Sequence, residues 1–249
     1  MRYMAPPRYF MNKSIKPKQD DVISYREMCD AEDVQTLQRG MNFRLKPTYS
    51  VLLMSQRTNA PYQDRLHPDG ITIEYEGHDV PRTSYGHNPK EHDQEAYLPS
   101  GRPTQNGLFI KAVKDYQEGR QEPEAVKIYE KILPGVWSMK GMFRLIDYKI
   151  VSSNGRNVYR FILRLDPTNK ENTTGPSINS NLEHTRVIPS AVKKEVWQRD
   201  NGKCVICHSA DNLHFDHELP YSKGGSSATA KNIRILCMRH NLTKSAKIE

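Results

Sequence analysis

Short apolar runs, each closed by turn-forming residues, fill the middle of this chain and predict strands over 50–54, 71–75, 126–129, 142–146, 149–151 and 158–163. Residues 152–157 carry Asn154-Gly155 at their centre and predict a hairpin loop, because that pair accepts the left-handed backbone of a tight turn. Apolar positions at helical spacing predict three helices. One covers 25–39, closed by Gly40, and a second follows Thr104 through Phe109 to Gln117. The third covers 190–200, with Ser190 as N-cap and Val192, Val196 and Trp197 as its apolar face. The pattern divides the chain into a polar, mixed N-terminal extension (1–48), a twisted, barrel-like β domain (49–165), a linker rich in Pro, Asn, Thr, Ser and Gly (166–186), and a second domain (187–249). The fold class expected is α+β. No internal repeat is visible.

Length and charge narrow the function. At 249 residues the chain accommodates two domains. A net charge of +8 suits a polyanionic partner, since each Lys or Arg set against a phosphate releases a counterion. No run approaches 18 apolar residues, which argues against a membrane-spanning helix, and the first thirteen residues lack the apolar core of a secretory signal. Three of the four cysteines fall in a paired pattern. Cys29 stands alone and reads as a small, partly buried side chain without chemistry, so a reducing interior is expected rather than a disulfide scaffold.

That paired pattern is Cys204-x-x-Cys207 with Cys237-x-x-His240, the spacing of two knuckles gripping one zinc. Four protein ligands leave no open position, so this zinc is expected to be structural. A module of this size has little core of its own and needs it. Between the half-sites lies Asp216-His217, followed by Asn232 and by Asn241-x-x-Lys244. Asp216 and Asn241 offer hard oxygens, which suit magnesium or manganese rather than zinc.

The whole arrangement resembles the HNH nuclease family, and 216–225 matches that family's D-H-x-x-P-x-S-x-G-G block at every fixed position. The resemblance implies a zinc-stapled ββα-metal domain in which His217 is the general base. A catalytic divalent cation would be held by Asp216 and Asn241 and would stabilise the phosphate and the leaving oxygen. Asn232 would fix the loop and the orientation of His217, and Lys244 would contact a phosphate. His240 could instead be the family's third residue, leaving zinc one ligand short; the knuckle spacing favours zinc. His208 and His214 read as surface or packing residues.

A second resemblance runs along the β region. Tyr62-Gln63-Asp64, Tyr75-Glu76-Gly77, Gln105-Asn106-Gly107 and the runs 126–130, 141–147 and 158–164 resemble successive blocks of the SET- and RING-associated (SRA) domain, a PUA-type β-barrel. Two blocks depart from the family: His78-Asp79 stands where a second glycine is expected, and 139–143 read Met-Lys-Gly-Met-Phe. The resemblance implies a domain that flips a modified cytosine out of duplex DNA. Tyr62 and Tyr75 would replace lost stacking, Asp64 would accept from the cytosine N4 amino group, and backbone groups at Glu76 and Gly77 would complete the edge contacts. Small residues around Gly77 would leave room for a 5-methyl or 5-hydroxymethyl group.

Together the two resemblances imply a modification-dependent restriction endonuclease, cytoplasmic in a prokaryote. One such site cuts one strand, so double-strand cleavage implies a homodimer or two monomers meeting on the DNA. Two other readings remain open: an HNH restriction or homing-type endonuclease reading unmodified sequence, and a non-catalytic reader of modified DNA.

Overall fold

The computed structural model describes residues 16–79, 88–166, 187–219 and 225–244. Its main body is a mixed, eight-stranded sheet. β1 (Val22–Ile23), β2 (Met41–Lys46), β3 (Tyr49–Met54), β4 (Arg65–Leu66), β5 (Thr72–Glu76), β6 (Ala125–Leu133), β7 (Val136–Ser153) and β8 (Arg156–Leu165) build it, in the order β2-β3-β6-β7-β8-β5-β4, with β1 added to β7. β3 and β6 run parallel and every other pair is antiparallel. A parallel pair requires a crossover, and α2 (Gln105–Gln117) lies within it. The end strands β2 and β4 do not pair among the described residues, so the expected barrel is an open sheet.

The core explains the strand pattern. Phe109 and Val113 of α2 pack into Leu52, Met54, Ile73, Ile128, Phe143 and Phe161, all buried, and the Phe109 and Phe161 rings lie 5.7 Å apart. α2 follows Thr104 as expected, and Thr104 caps it, its hydroxyl accepting from Gly107 N–H. The β7–β8 turn has Asn154 at φ 52° and Gly155 at φ 78°, the pair of left-handed residues that its sequence predicts.

The runs 142–146 and 149–151 are one strand, not two. β7 continues through a register irregularity between Leu145 and Asp147, which bends the strand without ending it. Gly141, at φ 135°, supplies a further kink opposite the irregularity at Ile128/Tyr129.

The first helix is shorter than its sequence suggests. α1 (Tyr25–Ala31) opens on a capping box in which Ser24 and Glu27 satisfy each other's backbone N–H. It stops because Asp33 turns left-handed at φ 48°. Gly40 caps no helix: a Cβ there would meet the Tyr75 hydroxyl at 2.8 Å.

Residues 16–48 are therefore integral to the sheet, not an extension of it. β1 pairs with β7 and β2 with β3, and Met28, Cys29 and Leu37 pack on Val51, Tyr129, Trp137 and Met139 in a second core. Cys29 is completely buried there. Asp166 belongs to the β body as well. Its backbone N–H donates to Met142 O and its carboxylate pairs with Arg144 at 2.7 Å, so the expected linker cannot begin at 166; the remainder of it, 167–186, lies outside the described residues.

A third core belongs to the C-terminal module: α3 (Ser190–Arg199), β9 (Leu213–His217), β10 (Ile233–Cys237) and α4 (Met238–Lys244). β9 and β10 form an antiparallel ladder from which the chain passes directly into α4. Val192, Val196 and Trp197 of α3 face this core as expected. Ser190, however, is not the N-cap. That position is Pro189, without a side-chain hydrogen bond, and the Ser190 hydroxyl turns to Gln56 (2.5 Å) and Glu130 of the β body.

A polar seam joins module and sheet. Lys193 of α3, fully buried, donates to Ser138 at 2.8 Å and pairs with Asp20 at 2.7 Å, while Lys140 and Glu130, also fully buried, pair at 2.5 Å. The segment carrying Asp20 and Asp21 is shared. Val22 and Ile23 pair with β7, Phe215 N–H donates to Asp20 O at 3.0 Å, and the His214 ring bonds the Asp21 carboxylate.

Candidate functional site

The four expected zinc ligands converge. Cys204 and Cys207 sit in a tight turn closed by His208 N–H to Cys204 O (2.8 Å) and Cys204 N–H to Ser209 O (2.8 Å), with His208 left-handed at φ 59° and its side chain at the surface. Cys237 ends β10 and His240 follows in the first turn of α4. The donor atoms of all four lie within 4.8 Å of one another. Cys207 and Cys237 sulfurs are 3.8 Å apart, and His240 Nδ1 is 3.4 Å from both Cys204 and Cys237. Tetrahedral zinc with bonds of about 2.3 Å to sulfur and 2.0 Å to nitrogen has edges of roughly 3.8 Å and 3.5 Å, so these three separations match that ion. Burial pushes the Cys204 thiol up, but backbone N–H groups of Cys207, Cys237 and Ile206 and the His240 ring outweigh it and bring it down to about 6. His240 lies with the three thiols, and the reading of it as the third HNH residue loses its ground.

The Asp-His pair sits at the end of β9, where Asp216 faces Arg234 and His217 faces Ile233 across the ladder. The Asp216 carboxylate accepts from Lys244 of α4 at 2.5 Å, and the same ammonium donates to the His217 carbonyl; Arg234 lies 3.7 Å away. Asn241 and Lys244 share a face of α4 by their i, i+3 spacing, and α4 packs against β9 and β10. Lys244 thus contacts Asp216 where a phosphate was expected. The His217 ring bonds Ser227 through Nε2 at 2.8 Å, and burial lowers its pKa below the usual value, against the nearby charges of Asp20 and Asp216. Ser227, itself buried, escaped sequence analysis: it lies ten residues from His217 and outside any spacing rule, and Asn232 ties Ser226, its neighbour, to Leu219 beside the ring's strand.

Asn232 closes that loop. Its side chain accepts from Leu219 N–H (2.8 Å) and donates to Leu219 O (2.9 Å) and Ser226 O (3.1 Å), while its carbonyl accepts from Glu218 N–H. Gly225 sits in the neck, where a Cβ would lie 1.9 Å from Leu219 O. Residues 220–224, which complete the D-H-x-x-P-x-S-x-G-G match, lie outside the described residues.

The five residues expected at a modified base also come together, but with their polar groups already engaged. Tyr75 is 3% exposed, its ring in the main core and its hydroxyl donating to Leu53 O at 3.2 Å, so it presents no stacking face. Asp64 accepts from Ser55 N–H and Glu76 N–H, both at 3.1 Å, and burial raises its carboxyl to about 7. Glu76 pairs with Arg160 (3.2 Å) and Arg156 (3.5 Å). Gly77 is small for a different reason from the one expected. A Cβ there would meet Asn106 Oδ1 and Gln94 Oε1 at 2.7 Å, so those side chains occupy the space assigned to a methyl group. Tyr62 is half-buried, with the Lys90 ammonium 3.9 Å over its ring and its hydroxyl accepting from Asp79 N–H at 3.4 Å.

No family model matches the chain, and no curated protein does. Solved structures do match part of the chain. The SUVH5 SRA domain in complex with fully methylated CG DNA aligns at a TM-score of 0.44 and 16% identity, covering 64% of this chain and 95% of that one. The SUVH5 SRA bound to fully hydroxymethylated CG DNA aligns at 0.43 and 15%, with the same coverage. Arabidopsis thaliana SUVH6 in complex with SAM aligns at 0.39 and 18%, covering 60% of this chain and 26% of that one.

Proposed function

We propose that this chain is a modification-dependent DNA endonuclease whose C-terminal module hydrolyses a phosphodiester through an HNH-type site. One observation carries the reading: Asp216 and His217 end a strand that packs against the helix bearing Asn241, with a thiol–imidazole cluster fit for zinc on the adjoining turns. Zinc held by Cys204, Cys207, Cys237 and His240 is the structural ion of this reading. A divalent cation held by Asp216 and Asn241, magnesium or manganese, would supply stabilisation of the charge developing on the phosphate. His217 takes the proton of the attacking water, Ser227 fixes the tautomer and direction of its ring, and Asn232 sets the loop that carries Ser227.

The β body is the reader in this proposal, for 5-methylcytosine or 5-hydroxymethylcytosine in double-stranded DNA. The clustering of Tyr62, Asp64 and Glu76 supports it, and of the two aromatics expected to stack, Tyr62 is the more exposed. A flipped base requires Lys90 to leave the Tyr62 face and Asp64 to share its acceptors. Cleavage of both strands calls for two copies of the chain. Among the described residues no helix is long and apolar enough to cross a membrane.

A second reading has one observation in its favour. The Lys244 ammonium already satisfies Asp216, as it would in a module that binds DNA without cutting it. Matched plasmids carrying plain, 5-methyl or 5-hydroxymethyl cytosine, incubated with magnesium or manganese beside His217→Ala, separate the readings. Nicking of modified plasmids alone, lost in the variant, is the expected result. Equal cutting of all three removes the modified-base reader, and retention of DNA without cutting leaves the non-catalytic module.

A further inference from the structure

Where the sheet meets the C-terminal module lies a cleft of about 620 Å³. Arg57, His67 and Lys131 approach it from the β body; Ser190 and Lys194 approach from α3, and Ser227 from the loop that touches His217. No Asp or Glu lines it among the described residues. Two carboxylates stand behind its wall: Glu130, fully buried beneath Ser190 and neutralised by Lys140 at 2.5 Å, and Glu74, which lies 3.5 Å from the His67 ring and is paired with Lys149 at 2.9 Å and Arg65 at 3.5 Å, so neither offsets the three cations. The first turn of α3 opens onto the same space with no side-chain cap, adding backbone N–H donors to a site already positive. These groups form a track running from the reader side of the molecule to within one hydrogen bond of the His217 ring.

We propose that this cleft seats the sugar-phosphate backbone of one DNA strand between the reader and the scissile phosphate. Its volume is that of a small-molecule site, so it takes a short stretch of one strand rather than a duplex. Arg57, Lys131 and Lys194 contact successive phosphates, while Leu66 and Ile132 supply apolar wall for the sugars. The contacts carry no sequence information; they fix the register between the base that is read and the bond that is cut.

This inference rests on the nuclease reading for its partner, but its test does not require cutting. Binding of a fluorescent duplex by the full chain is followed against salt concentration with no magnesium or manganese present. For Arg57→Gln/Lys131→Gln/Lys194→Gln, the plot of log affinity against log salt becomes shallower by about 2–3, since each phosphate contact contributes roughly 0.9. A matched triple on α1 and α2, Arg26→Gln/Lys111→Gln/Lys114→Gln, keeps the wild-type slope at the same net charge. Should the cleft triple fail to fold, each single substitution lowers the slope by about 0.9. A wild-type slope in the cleft variants, or an equal drop in the control, overturns the assignment. A wild-type chain that binds no duplex DNA overturns both this inference and the nuclease reading. A cleft-dependent slope in a protein that never nicks removes the nuclease and leaves the track.

Discussion

Lys244 donates to the Asp216 carboxylate at 2.5 Å and, with the same ammonium, to the His217 carbonyl, so one side chain from α4 clamps both residues of the Asp-His pair. A divalent cation at Asp216 must displace it. Lys244→Ala is therefore expected to lower the magnesium or manganese concentration needed for half-maximal nicking by roughly fivefold, about 1 kcal/mol. DNA affinity falls in the same variant if the displaced ammonium moves to a phosphate. A cation requirement unchanged in Lys244→Ala would show that the clamp does not compete.

The thiol–imidazole cluster predicts one tightly held zinc per chain. Structural zinc in small modules contributes about 10–16 kcal/mol of apparent folding energy. Chelation, or Cys204→Ser, should melt the module of α3, β9, β10 and α4 while the main sheet keeps its own transition. Metal analysis and calorimetry read both, and a module that stays folded without metal would exclude a structural role for the ion.

In the proposed nuclease, Ser227 acts through His217. His217→Ala should lower nicking by about 10²–10⁴-fold, the usual contribution of a general base. Ser227→Ala should lower kcat by roughly tenfold, about 1.4 kcal/mol for the lost hydrogen bond, with DNA affinity unchanged. Equal losses in kcat and in affinity would point to a collapsed loop instead.

Asp64 makes stability depend on pH. Burial raises its carboxyl from 3.8 to about 7 in the folded chain, so the native state holds the proton more tightly than the unfolded state does. Stability is greatest below the unfolded value, falls as pH rises between the two values, and is constant above the higher. Thermal melts from pH 4.5 to 8 should show that decline, and Asp64→Asn should flatten it. Parallel curves for the two proteins would mean the carboxyl does not titrate in that interval.

Glu130 and Lys140 form an ion pair with no solvent access. Lys140→Met leaves a buried carboxylate uncompensated and should cost about 3–5 kcal/mol in chemical denaturation, whereas Lys140→Met/Glu130→Leu should recover much of it. A single variant as stable as the wild type would mean that water reaches Glu130.

Residues whose roles depend on near neighbours were legible in the sequence. Asn154-Gly155 dictates its turn, Thr104 its helix, and the Cys-x-x-Cys and Cys-x-x-His half-sites their convergence, because each constraint acts within a few residues. What depended on distant packing was not legible. Helical spacing over 25–39 could not reveal that Asp33 turns left-handed, nor could the break after Ile146 reveal a bulge rather than a strand end. Tyr75 reads as an aromatic on a strand; only the fold shows it buried with its hydroxyl on Leu53. Nothing in the sequence singles out Glu130, Lys140 and Lys193 as buried charges, because their partners lie on other elements.

The polar seam limits how this chain can be rebuilt. Apolar surfaces tolerate sliding, but Ser190 and Lys193 on one side and Glu130, Ser138 and Asp20 on the other meet by directional bonds, and a shift of one residue would strand a charge. Asp20 and Asp21 precede the β body in sequence yet bond to β9 near the other end of the chain. A chimaera that joined the C-terminal module to a foreign β domain by a cut within 167–186 would keep the described residues of the module whole and still lose its registry with the sheet. Such a graft must carry the Asp20–Ile23 segment and both faces of the seam with it.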